Sequence, residues 1–78
     1  MSNFDVELDT SGLNCPLPVL KARKALSTME AGETLHVTAT DPGASKDIPA
    51  FCKISGNTLL ETSEIEDKII FVIEKGNK

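Results

Sequence analysis

Apolar and polar residues alternate with a period of two in two segments of this chain. The first segment covers 4–9 and the second 35–40, and each sets apolar residues against charged or polar ones. This alternation is typical of strands with one buried and one exposed face. Two more strands are predicted at 57–65 and 68–75, and a tight turn at Glu66-Asp67 joins them as an antiparallel hairpin.

The segments between these strands have the helical period of 3.6 residues instead. One apolar stripe predicts a helix over about 15–29, and a second, shorter helix is predicted from residue 45 or 47 to 55. Pro49 is acceptable in the first turn of the second helix, and Gly56 ends it. The first stripe consists of Val19, Ala22, Ala25, Leu26 and Met29. The second consists of Ile48, Phe51, Cys52 and Ser55.

The predicted elements follow one another as β-α-β-α-β-β within 78 residues, a length that suits one domain over 1–78. A strand, a helix and a second strand of this size form a parallel pair with a right-handed crossover, and the hairpin adds two antiparallel strands. We therefore predict a two-layer α/β sandwich, in which two helices cover one face of a mixed four-stranded sheet. The last strand is apolar on both faces over 69–73, which predicts a central position or a covered second face.

The charge and hydropathy of the chain exclude several classes of function. Twelve Asp and Glu against eight Lys and Arg give a net charge of −4, which disfavours a protein that grips phosphate backbones. We therefore expect no direct contact with nucleic acid. The first residues are acidic and lead directly into a strand, and the longest aliphatic or aromatic run is 69–73. We expect neither a signal peptide nor a membrane span, and a cytoplasmic location.

The cysteine and histidine content limits the chemistry further. The chain has two cysteines and one histidine, fewer than the four protein ligands of a structural zinc site. Two cysteines in a reducing compartment do not indicate a disulfide framework. We therefore expect no metal and no cofactor.

Cys15 lies in the sequence Cys15-Pro16-Leu17-Pro18, where the first helix is predicted to begin. Prolines are tolerated in a first helical turn because the N–H groups there have no partner within the helix. The helix dipole and these N–H groups stabilise an anion, so we expect the pKa of Cys15 to lie below the ordinary value of about 8.5. Cys15 is therefore a candidate nucleophile. The alternative is a small buried residue that happens to precede a helix, which is the role we expect for Cys52.

A helical projection places Leu17 and Leu20 off the apolar stripe of the first helix, so both are expected to be partly exposed. With Lys21 and Lys24 beside them, they form an apolar spot with a basic edge, a combination that suits a protein docking surface. Lys46 adds to this edge if the loop after the second strand lies near Cys15, as expected at one end of a parallel pair. Isolated exposed leucines are also common, and that alternative stays open.

The residues of 8–18, with Gly12, Cys15, Pro16 and Pro18, resemble the L-D-x-x-G-x-x-C-P-x-P signature of the TusA (SirA-like) family of sulfur-carrier proteins. The resemblance extends over most of the chain in the right order, through 32–35, Asp41-Pro42 and 47–52. It implies a β-α-β-α-β-β sandwich in which Cys15 carries sulfane sulfur as a persulfide, with sulfurtransferase character.

In that family a cysteine desulfurase donates the sulfur, and a downstream sulfurtransferase accepts it on a route toward tRNA 2-thiouridine. Relatives serve molybdenum-cofactor supply or sulfur oxidation. Members of this branch commonly have an arginine where this chain has Lys46. Lysine keeps the positive charge but lacks the planar guanidinium with its paired N–H donors. The alternative function is a redox-regulatory or interaction module, in which Cys15 senses oxidants and Cys52 resolves the sulfenic acid.

Overall fold

The computed structural model describes residues 6–14 and 16–76 of the protein. The predicted order of strands and helices is confirmed. The elements are β1 (Val6–Thr10), α1 (Leu17–Ser27), β2 (Thr34–Ala39), α2 (Ala44–Ser55), β3 (Thr58–Ile65) and β4 (Lys68–Glu74).

The four strands form one mixed sheet in the order β1-β2-β4-β3. β1 and β2 are parallel, with Val6 opposite Leu35, whereas β4 runs antiparallel to both of its neighbours. A bulge interrupts the pairing of β3 between Leu59 and Glu61. β4 is central, which explains why both of its faces are apolar.

The hydrophobic core lies between the sheet and the two helices. Phe71, at the centre of β4, has no exposed surface, and Leu35 and Ile48 are equally buried. Because a small domain buries a limited share of its surface, these side chains supply most of its hydrophobic stabilisation. The other buried apolar residues are Ala22, Leu26, Met29, Val37, Ala39, Ala44, Cys52, Ile69 and Ile73.

α1 is shorter than the predicted helix at both ends. It begins at Leu17, whose N–H bonds the Asn14 carbonyl three residues back. The first hydrogen bond of the regular i to i−4 type runs from the Leu20 N–H to the Pro16 carbonyl. After Ser27, the Met29 N–H bonds the Leu26 carbonyl three residues back, a tightening that ends the helix. Met29 still reaches the core.

α2 begins earlier than predicted, and the expected position of Pro49 is wrong. Turn hydrogen bonds, starting from the Ala44 N–H to the Asp41 carbonyl, wind the chain into the helix before residue 45. Pro49 therefore lies inside α2 and leaves the Ser45 carbonyl without its usual helical donor. Ser45 is exposed at the start of the helix, where water can solvate that carbonyl.

The two ends of the sheet differ in construction. We call one the motif end; its described residues are 11–14, Pro16, 40–43 and the turn Glu66-Asp67. We call the other the closed end; it comprises 28–33, 56–57 and Lys75-Gly76. At the closed end the Gly32 N–H bonds the Lys75 carbonyl at 2.9 Å, and the Lys75 N–H bonds the Glu33 carbonyl at 2.8 Å.

Candidate functional site

A tight turn leads from β1 to the cysteine motif. The Leu13 N–H bonds the Thr10 carbonyl at 3.1 Å, and the Ser11 N–H bonds Oδ1 of Asp9 at 2.9 Å. Hydrogen bonds from the side chain and the backbone of Ser11 hold the pKa of Asp9 below its ordinary value. Gly12 has a φ of +83°, a conformation that favours glycine. Asp9 therefore stabilises this turn.

One hydrogen bond joins this turn to the loop after β2. The Gly12 N–H donates to Oγ1 of Thr40 at 2.8 Å, across a separation of 28 residues. Two residues before Gly12, the Thr10 hydroxyl donates to the Thr38 carbonyl at 2.6 Å. The two loops that precede α1 and α2 are therefore attached to each other at the motif end.

The start of α1 offers few free N–H groups. Pro16 is the N-cap and Pro18 follows in the first turn, so neither supplies an N–H, and the Leu17 N–H is used by Asn14 at 2.8 Å. The prolines that mark the helix start therefore also remove two donors from it, and the lowered pKa expected for Cys15 stays a prediction. Cys15 itself lies outside the described residues.

The residues flanking Cys15 are accessible, although Pro18 is not. Asn14 and Pro16 are exposed, and Leu17 is 43% exposed. Pro18 is buried and anchors the first turn of α1 in the core. The chain is thus accessible on both sides of Cys15.

The exposed residues predicted beside the motif do lie on one side of α1. Leu20 is 49% exposed, and Lys21 and Lys24 are exposed as well. Leu17 and Leu20 are three residues apart, and each precedes a lysine by four, so the four side chains are surface neighbours. We call Leu17, Leu20, Lys21 and Lys24 the docking patch. Lys46 is exposed in the first turn of α2.

Charge is distributed unevenly between the two layers. The helices carry five of the eight basic residues and one carboxylate, that of Asp47. The strands carry most of their charge as carboxylates. The net charge of −4 thus conceals a basic helix layer, and a partner that approaches the docking patch meets local positive charge. The five basic residues are Lys21, Arg23, Lys24, Lys46 and Lys53.

Cys52 is a structural residue. It is 2% exposed and belongs to the core. Burial raises the pKa of its thiol to about 11, so the thiolate is scarce at neutral pH. The expectation of a buried thiol at Cys52 is confirmed.

The motif end also holds an open groove of about 420 Å³. Thr40 and Ser45 line one side of it, and the hairpin turn at Glu66 lines the other. The groove is open and lined largely by polar and charged residues, unlike the enclosed apolar pockets that hold small substrates. Within 6–14 and 16–76, no three metal-ligating side chains cluster together. No helix in these same ranges is long and apolar enough to cross a membrane.

Sequence reasoning missed Thr40 as a residue of this site. In the sequence it is a polar residue at the end of an alternating strand, followed by turn residues. Nothing in that pattern shows that its hydroxyl meets the loop 28 residues earlier. Such pairings depend on the register of β1 and β2, which alternation alone does not determine.

The described residues form a small two-layer sandwich with a cysteine motif between its first strand and its first helix. The family model "Sulfurtransferase TusA" matches residues 6–75. The chain belongs to the TusA family of sulfur carriers.

Individual relatives agree with this assignment. The chain is 56% identical to the sulfur carrier protein TusA of Allochromatium vinosum over 75 residues, 96% of this chain and 99% of that protein. It is 43% identical to the putative sulfur carrier protein YrkI of Bacillus subtilis, over 92% of this chain and 96% of the relative. The crystal structure of a SirA-like protein from Desulfitobacterium hafniense superposes with a TM-score of 0.81 at 27% identity, over 94% of this chain and 100% of the other.

Proposed function

We propose that this protein accepts sulfane sulfur as a persulfide on Cys15 from a cysteine desulfurase and passes it to a downstream sulfurtransferase. The final use that we propose for the sulfur is the formation of 2-thiouridine in tRNA. Membership of a sulfur-carrier family supports the general role. The observation that carries the proposal is the accessible chain on both sides of Cys15, in a protein whose other thiol is buried.

The transfer chemistry is thiol–disulfide exchange applied to a persulfide. The Cys15 thiolate attacks the outer sulfur of the donor persulfide, a new S–S bond forms, and the donor's S–S bond breaks. The electron pair of the broken bond leaves on the donor thiolate, which takes up a proton. The discharge step repeats this exchange with an acceptor thiolate and returns Cys15 to the thiolate. No external oxidant or reductant is consumed.

This chemistry needs one nucleophilic thiol and access for two proteins in turn. The docking patch supplies an apolar contact with a basic edge beside the motif, and the groove at the motif end does not resemble a small-substrate pocket. Donor and acceptor then use overlapping surfaces, so each complex should be small and short-lived. We therefore place both partners at the docking patch, with Lys46 at its margin.

The two-cysteine redox module is the competing function. It requires Cys52 to attack a sulfenic acid on Cys15 as a thiolate. A buried thiol with a pKa of about 11 is poorly suited to that step. The burial of Cys52 therefore favours a one-thiol carrier.

The mass of the whole protein after incubation with a cysteine desulfurase and L-cysteine tests the proposal. We expect the wild type to gain the mass of one sulfur atom, and Cys15→Ser to gain none while remaining folded. The matched control is Cys52→Ser, which buries a hydroxyl and should lower the free energy of unfolding by about 1 to 3 kcal/mol while loading normally. A Cys52→Ser protein that folds but fails to load would support the two-cysteine module instead.

The route toward tRNA needs a separate measurement. Loaded wild-type protein, mixed with a sulfurtransferase of the thiouridine pathway, should lose its added sulfur mass while the acceptor gains it. Loaded protein that keeps its sulfur in this mixture, but discharges to other acceptors, would place the carrier on a different sulfur route.

A further inference from the structure

We propose that Thr40 is a positioning residue for Cys15, acting through the N–H of Gly12. This inference rests on the function proposed above. It adds Thr40, a residue outside the cysteine motif, to those that affect the position of Cys15. The Gly12 N–H to Thr40 Oγ1 bond of 2.8 Å is its starting observation.

The hydrogen bonds around the motif loop divide into local and long-range ones. Asp9 and Thr10 hold the loop from β1, the strand from which it continues. Thr40 holds it from the loop that follows β2. Within 11–14, as far as the structure describes hydrogen bonds, this is the side-chain contact that ties the loop to a segment distant in the sequence. Thr40 therefore fixes the loop relative to β2 as well as to β1.

Thr40 itself is well placed to act as a fixed point. It follows directly after β2, whose residue Ala39 is fully buried between β1 and β4. Its side chain is half-buried and β-branched, which restricts rotation about χ1. The next residues, Asp41-Pro42, turn the chain into α2. The hydroxyl thus has a stiff backbone on both sides.

Stability alone does not account for this hydrogen bond. Gly12 is exposed, so water can replace Thr40 as the acceptor of its N–H when the hydroxyl is removed. A Cβ on Gly12 would meet no atom within 4 Å, so Gly12 itself is not held in place by crowding. Loss of the hydroxyl should leave the fold intact and release the loop three residues before Cys15. The consequence is a wider range of positions for the thiol and slower productive encounters.

Thr40→Val tests this inference, because valine keeps the shape of threonine and removes the acceptor. Thr40→Ser is the matched control, because serine keeps the hydroxyl and loses a methyl group. We expect Thr40→Val to shift the pH midpoint of Cys15 alkylation, measured with iodoacetamide and peptide mass spectrometry. We also expect a drop of about tenfold in the rate of sulfur loading from a cysteine desulfurase. Thr40→Ser should stay within about twofold of the wild type in both measurements, because it keeps the hydroxyl. The tenfold loss expected for Thr40→Val corresponds to about 1.4 kcal/mol in activation free energy.

Two readouts separate this inference from a general loss of structure and from failure of the proposed function. Thermal unfolding and the inertness of Cys52 toward iodoacetamide should be unchanged in Thr40→Val. If the wild type does not load sulfur at all, the alkylation profile still reports whether Thr40 governs Cys15. Identical alkylation profiles for wild type and Thr40→Val would overturn the inference, and so would equal losses in the valine and serine variants.

Discussion

The motif end and the closed end of this sheet are held together by different kinds of contact. At the closed end, backbone groups of 32–33 and Lys75 bond each other directly, and the Lys75 ammonium donates to the Leu26 carbonyl at 2.8 Å. At the motif end, the long-range contacts are made by the side chains of Thr10 and Thr40. Thr10 is buried at the end of β1, whereas Thr40 lies in the loop after β2, where a side chain can be changed without unfolding the core. The backbone bonds of the closed end offer no such replaceable group.

The difference suits a carrier whose reactive loop must be presented to two partners. The closed end gives the domain its stability at the place farthest from the motif. The motif end leaves its loops open to solvent and holds them with single hydrogen bonds, each of modest net energy. Substitutions at the closed end should therefore affect folding first, and those at the motif end should affect transfer first.

Gly76→Ala should have the largest effect and test the closed end. A Cβ on Gly76 would overlap the carbonyl oxygen of Gly56 and lie 2.8 Å from its carbonyl carbon, and both atoms belong to the backbone. The overlap should displace the chain end and break the bond from the Gly76 N–H to Oδ1 of Asn57. We expect the free energy of unfolding to fall by about 2 to 3 kcal/mol, measured by urea denaturation.

The motif end supplies the control for this change. The folded fraction of Gly76→Ala should still alkylate at Cys15 with the wild-type rate, because the substitution lies at the opposite end of the sheet. A Gly76→Ala protein with the wild-type midpoint of denaturation would contradict this prediction, because it would show that the closed end tolerates the added Cβ.

Leu20→Asp should have an intermediate effect and act on transfer rather than on folding. Leu20 is 49% exposed, so its replacement costs little in the free protein, but it places a carboxylate in the apolar part of a partner contact. We expect affinity for a cysteine desulfurase to fall at least tenfold, measured by surface plasmon resonance, with unchanged unfolding. Leu60→Asp is the matched control, since Leu60 is 52% exposed on β3, away from the docking patch.

The lysines of the docking patch should contribute in a different way. Lys21→Glu combined with Lys24→Glu should slow association chiefly at low salt, because exposed charges steer encounters and are screened at high salt. Equal binding by Leu20→Asp, Leu60→Asp and the double variant would place the partner surface elsewhere on the molecule.

The strands and the buried core were predictable from the sequence, whereas the contacts between the loops of the motif end were not. Alternation along β1 and β2 predicted strands and buried faces, since burial of every second residue leaves a periodic pattern. The cysteine motif and the exposed Leu17 and Leu20 were also predictable, because they follow from local spacing. The bond between Gly12 and Thr40 was not, because it depends on which residues two parallel strands bring together. The early start of α2 was missed because turn residues already wind helically before the first apolar position.

Glu66→Gly should have the smallest effect, and it should raise the free energy of unfolding rather than lower it. Glu66 has a φ of +56°, in the left-handed region, where a side chain is unfavourable by about 1 kcal/mol. Glycine removes that strain but adds freedom to the unfolded chain, so we expect a net gain of about 0.5 kcal/mol in the free energy of unfolding. Asp67→Gly is the matched control in the same turn, because Asp67 does not have a positive φ, and it should destabilise by a similar amount. Urea denaturation of the two variants side by side measures the difference.

Glu66 lines the groove together with Thr40, so Cys15 alkylation should also be measured in Glu66→Gly. If Thr40 alone positions the loop, the alkylation rate should be unchanged. A changed rate would extend that role to the hairpin turn.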